Sequence, residues 1–179
     1  MTVTETPSAA IVELGVGRPV LVMGAAPGSP GLAALAARFR VFALADTNAA
    51  ADWVAAQDFD PLGIVGVGQA TDAALDLARA LRDRADALVL VSPPATLGER
   101  ERLMAPICVA PICVLVGDRD TAAAPLAHYR RTLNASTVLV FEAGADILAD
   151  RPDAFASAAG DFLDRKARFA FAESAALSR

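Results

Sequence analysis

The stretch Leu62-Gly-Ile-Val-Gly-Val-Gly-Gln-Ala-Thr-Asp-Ala-Ala-Leu-Asp-Leu-Ala78 decides the fold. Its first six residues are a continuous apolar run, the pattern of a strand buried on both faces of a parallel sheet. After Thr71, the residues Ala74, Leu77, Ala78 and Leu81 recur at helical spacing. Where the two runs join stand Gly66-Val-Gly68-Gln-Ala70, small enough to reverse the chain in very few residues. Strand, tight turn and helix together make half of a βαβ unit.

The same alternation continues outward in both directions. Further apolar runs at Pro19–Met23, Arg40–Ala45, Ala87–Val91, Ile112–Val116 and Thr137–Phe141 read as strands. Helical patterns fall between them at Gly31–Arg38, Asn48–Gln57, Thr71–Arg84, Thr121–Leu133 and Pro152–Leu163. Asp120 is the expected cap of the fourth helix, and Pro152 suits an early helical position, where its missing N–H does no harm. The alternation predicts an α/β domain: a doubly wound, mostly parallel sheet of about six strands flanked by helices in three layers. Residues 1–17 are expected to be a flexible N-terminal segment, 18–165 the domain, and 166–179 a C-terminal tail. Phe169 and Phe171 in that tail read as packing on the domain or as a surface for self-association.

Composition narrows the function classes. The 179 residues fit one domain, and 55% of them are apolar, above the usual ~45–50%, much of the excess being alanine. A net charge of −5 with sparse aromatics argues against nucleic-acid binding. The run Arg79, Arg82, Arg84 is interrupted by Asp83 and reads as a solvated helix face. Cys108 and Cys113 sit in an echoed Ala-Pro-Ile-Cys-Val and read as small buried apolar residues. Two cysteines suggest no disulfide framework and fit a reducing cytoplasm. The first ten residues lack the basic and apolar regions of a secretory signal, and no run reaches the ~18 apolar residues of a membrane span. No metal or cofactor is expected.

The order and spacing of several segments resemble the α/β-hydrolases. Gly66-Val-Gly68-Gln-Ala70 resembles their nucleophile elbow, G-x-S-x-G after a strand, in which small residues let the nucleophile project from the strand end. Pro19-Val-Leu-Val-Met-Gly24 resembles the strand leading into the oxyanion loop. Ala87-Leu-Val-Leu-Val-Ser-Pro93 resembles the strand after the elbow helix. Pro111-Ile-Cys-Val-Leu-Val-Gly-Asp-Arg-Asp120 resembles the strand that supplies the acid. Phe141-Glu-Ala-Gly-Ala-Asp-Ile147 resembles the histidine loop. The resemblance covers about residues 18 to 165. It implies that Gly68 holds the serine position, Asp120 the acid position and Ala145 the histidine position. The family's two extra N-terminal strands and its helical cap are not expected in so short a chain.

Serine-hydrolase chemistry needs a hydroxyl to attack, an imidazole to move the proton and a carboxylate to orient the imidazole. Gly68 cannot attack, and Ala145 cannot move a proton. With both absent, the resemblance implies a hydrolase-like protein without standard hydrolase activity, suited to binding or association. A relocated set drawn from Ser92, Asp120, Asp146 and His128, the chain's one histidine, would make it a hydrolase or esterase instead. Ser92 otherwise reads as a strand-end serine bonding the Pro93-Pro94 turn, and Asp146 as a solvated loop residue. Backbone N–H groups at Gly24 and Ala25, with Gln69, are candidates for an anion-binding nest. The helix start after Gly68 favours a small acidic or carbonyl-bearing ligand. A third reading, a nucleotide-binding module, rests on Gly66-Val-Gly68-Gln-Ala-Thr71 as a partial dinucleotide turn.

Overall fold

A computed structural model describes residues 2–6, 9–97, 110–133 and 137–165. Eight strands form one sheet in the order β1-β2-β4-β3-β5-β6-β7-β8. They are β1 (Thr2–Thr6), β2 (Ala9–Leu14), β3 (Pro19–Met23), β4 (Arg40–Leu44), β5 (Leu62–Val67), β6 (Ala85–Val91), β7 (Ile112–Gly117) and β8 (Thr137–Phe141). From β4 to β8 every neighbouring pair is parallel. All six strands expected from the sequence are present, within two residues at each end.

The first 17 residues depart from expectation. Instead of a flexible lead-in they supply β1 and β2, an antiparallel pair that extends the sheet beyond β4. Ile11 and Val12 are buried there, which anchors the segment. The two N-terminal strands that the chain seemed too short to hold are thus present.

The helices are α1 (Pro30–Ala36), α2 (Ala50–Ala55), α3 (Thr71–Leu81), α4 (Leu126–Thr132), α5 (Ile147–Asp150) and α6 (Pro152–Arg165). Alternation along each central strand sends neighbouring side chains to opposite faces. Leu21, Met23, Leu44, Ile64, Leu90 and Val114 pack in one core with Trp53, Leu75, Leu77 and Tyr129 of α2, α3 and α4. Val20, Val22, Val65, Val89, Cys113 and Leu115 pack in another with Leu32, Leu35, Leu148, Phe155 and Phe162 of α1, α5 and α6. The result is three layers with the sheet in the middle. Cys113 is fully buried, as expected; Cys108 and the tail with Phe169 and Phe171 lie outside the described residues.

Two helices begin or end differently from the sequence pattern. α4 starts at Leu126 rather than Thr121, because the residue before Pro125 is disfavoured in helical conformation. Asp120 therefore caps no helix; its Oδ1 accepts the N–H of Ala122 at 3.0 Å in a local turn. α3 stops at Leu81, since Arg82 has φ +51. Arg84, expected in solvent, donates to the carbonyls of Phe59 and Gln57 at 3.1 and 3.3 Å.

Candidate functional site

Strand order reverses at β3. The chain leaves β3 for β4 on one side and returns to β5 on the other. The loops after β3 and β5 therefore part at the carboxyl edge, which is where α/β sheets offer a ligand crevice. A cleft of about 480 Å³ opens there, a size that suits a small molecule. Loops after β3, β5, β6, β7 and β8 all contribute to its lining.

The turn after β5 forms its floor. Gly66 lets α3 lie tight against β5, since a Cβ there would stand 2.6 Å from Cβ of Ala74. Gly68 follows with φ +56, a left-handed conformation that glycine adopts without penalty. The hydroxyl and the N–H of Thr71 both donate to the Gly68 carbonyl, the hydroxyl at 2.7 Å, and fix the turn. A Cβ built on Gly68 would meet nothing within 4 Å. The turn is thus shaped to hold out a side chain and holds out none.

The loop after β3 presses against this turn. Gly24 has φ +82, and a Cβ on it would stand 2.5 Å from Cβ of Ala70 and 2.6 Å from the Val67 carbonyl. Its N–H donates to the Leu44 carbonyl at 3.2 Å. That removes Gly24 from the expected anion nest: its donor is already engaged at the sheet edge. Ala25 and Gln69 do line the cleft.

The other expected residues divide clearly. Ser92, Asp120, Ala145 and Asp146 all line the cleft, and His128 is not among its lining residues. His128 lies half-buried on α4, edge-on to the Tyr129 ring at 5.8 Å between centroids. Ser92 has φ +46, and its Oγ donates to the Ala145 carbonyl at 2.7 Å, not to the Pro93-Pro94 turn. It thereby ties the end of β6 to the loop that carries Ala145. Asp146 is more than a solvated loop residue: its Oδ1 accepts the N–H of Ala149 at 3.2 Å and caps α5. Asp118 accepts the N–H of Ala143 at 3.1 Å, and Gly117 packs against the carbonyls of Ala143 and Gly144. Ala145 itself is exposed.

Sequence reasoning missed Ser29, Pro94, Ala122 and Leu148, which also line the cleft. All lie on segments that follow β3, β6, β7 and β8 at the carboxyl edge, so their position after a strand was the available signal. Tyr129 was missed as well. Fully buried on α4, it donates to the Pro93 carbonyl and accepts from the Ala124 N–H, both at 2.8 Å. It holds together the two loops that carry Pro94 and Ala122. Burial pushes its hydroxyl pKa above the ordinary value of 10.0.

Among the described residues that line the cleft, charge is one-sided. Asp120 and Asp146 contribute carboxylates, and no Lys, Arg or His stands among the described lining residues. Among the described residues no group of three or more His, Cys, Asp or Glu could hold a metal ion. No described helix is long and apolar enough to cross a membrane.

No protein-family model matches the sequence, and no curated protein is similar to it. Solved structures are similar in fold. An α/β-hydrolase enzyme from the metagenome of sediments of the Mar Chica lagoon, Morocco, superposes with a TM-score of 0.74 at 13% identity, over 92% of this chain and 99% of that one. The enol-lactonase of Burkholderia xenovorans gives 0.66 at 17% identity, over 91% and 100%. The monoacylglycerol lipase of Paleococcus ferrophilus gives 0.64 at 13% identity, over 87% and 98%. With the strand order and the turn after β5, these likenesses establish the α/β-hydrolase fold.

Proposed function

On this α/β-hydrolase fold, we propose a protein that binds a small ligand in the cleft and does not hydrolyse it by serine–histidine chemistry. One observation carries the reading: the elbow is fully formed at Gly68, and no nucleophile stands on it. Ala145, exposed at the histidine position, removes the proton carrier as well. A ligand with a net negative charge is disfavoured by Asp120 and Asp146, with no basic side chain among the described lining residues. Of the two ligand types that the sequence suggests, the carbonyl-bearing one fits better than the acidic one. Its carbonyl would face the start of α3, where the helix dipole is positive.

The second reading is a hydrolase with relocated groups. It is favoured by the hydrolases of like fold and by the meeting of Ser92, Asp120 and Asp146 around one cleft. Against it, Ser92 Oγ is engaged with a backbone carbonyl, each aspartate spends an oxygen on a backbone N–H, and His128 lies elsewhere. A stopped-flow assay with an activated ester separates the two. The expected result is no burst of acyl-enzyme; a burst that disappears in Ser92→Ala would overturn the binding reading. A thermal-shift screen with NAD and nucleotides covers the dinucleotide turn, and no stabilisation is expected.

A further inference from the structure

The cleft is not alone at this edge. A second hollow of about 440 Å³ lies toward β4, lined by Ala45, Thr47 and Ala70. The two hollows share Gly24, Val67, Gly68 and Gln69 as common lining. Of these four, Gly68 is the glycine with open space above its Cα, where a Cβ would meet nothing within 4 Å, so we take it as the saddle between the hollows. Any side chain at this position would rise into the passage.

We propose that the two hollows form one groove, and that its carbonyl-bearing ligand is elongated, with a protonated amine at one end, and lies across Gly68. The inference deepens the binding reading given above and rests on it. The ends of the groove differ in chemistry. At the β7–β8 end stand the carboxylates of Asp120 and Asp146, and no described lining residue is basic. At the β4 end the lining is Ala45, Thr47, Val67 and Ala70, uncharged throughout. A cationic head belongs at the first end and an uncharged chain at the second. Adjacent strands stand about 4.8 Å apart, so β4 to β7 across β3, β5 and β6 spans roughly 19 Å. That length calls for an extended ligand rather than a compact one. On this account glycine at position 68 is a requirement of the ligand as well as the loss of a nucleophile.

The test is calorimetric titration of the full chain with straight-chain primary amines of four to ten carbons, against alcohols and carboxylates of equal length. Amines are expected to bind more tightly than alcohols, and alcohols more tightly than carboxylates, at neutral pH. Affinity should rise by roughly fourfold for each methylene buried. In Gly68→Ala the short amines should bind as before, while the gain with length stops where the chain reaches the saddle. Gly68→Asn, which tolerates the left-handed backbone better, repeats the test if the alanine variant folds poorly. Asp120→Asn combined with Asp146→Asn should abolish the preference for amines over alcohols and leave the length dependence intact. Equal binding of octylamine and octanoate would overturn the amine assignment. Unchanged length dependence in both Gly68 variants would overturn the continuous groove. An ester burst in the wild-type chain would instead count against the binding reading, and the amine series would still report separately on the groove.

Discussion

Two glycines of the site answer to opposite constraints, and substitution tells them apart. At Gly24 a Cβ would collide with Ala70 and with the Val67 carbonyl, at a φ of +82. Gly24→Ala should therefore combine backbone strain with overpacking and cost about 3 kcal/mol or more. Gly68→Ala meets open space, so only the left-handed backbone resists it, at about 1–2 kcal/mol. Urea unfolding of both variants measures the gap; equal costs would contradict the packing described at Gly24. Asp146→Ala should lose about 1 kcal/mol through the cap of α5. At this scale the sequence was only partly legible. The Gly-x-Gly spacing pointed to the turn that the structure shows at Gly68. The partner of Ser92, a carbonyl 53 positions away, and the engagement of the Gly24 N–H depend on which loops meet in space. No local pattern encodes that.

Among the elements, α4 holds two loops of the cleft together through Tyr129. Tyr129→Phe would leave the Pro93 carbonyl and the Ala124 N–H without their partner, at a cost of about 1–3 kcal/mol. The pH dependence follows from the raised pKa of the buried hydroxyl. Its stabilisation is complete below the ordinary value of 10.0 and is lost as pH climbs toward the folded value, because the unfolded chain ionises first. Wild type should thus lose stability above about pH 10 more steeply than Tyr129→Phe in melts taken across that range. The helix pattern around Tyr129 was visible in the sequence, but its start was not. Alanines 122–124 look helical, and Pro125 overrules them. The β strands were read more accurately, because runs buried on both faces leave an unmistakable apolar signature. β1 escaped for the converse reason: Thr2–Thr6 is polar by composition and pairs antiparallel at the edge of the sheet.

For the whole molecule, the strands at the two ends of the described sheet are β1 and β8. β8 reads Thr-Val-Leu-Val-Phe, without a charge or a proline to blunt it, and Val140 is 51% exposed. Edge strands of this composition can recruit other strands. Val140→Lys should delay the onset of turbidity on heating while changing unfolding free energy by no more than about 0.5 kcal/mol; an unchanged onset would show that β8 is not the aggregating edge. The overall architecture was legible because alternation of strand and helix admits few topologies. The cleft was less so, since it is assembled from five loops that are far apart in the chain. The open space above Gly68 carries one more consequence, which concerns engineering. A side chain installed there meets no neighbour and pays for the left-handed backbone alone, about 1–2 kcal/mol. The turn is therefore a ready mount for a designed reactive group, whereas the collision at Gly24 closes that position to any side chain.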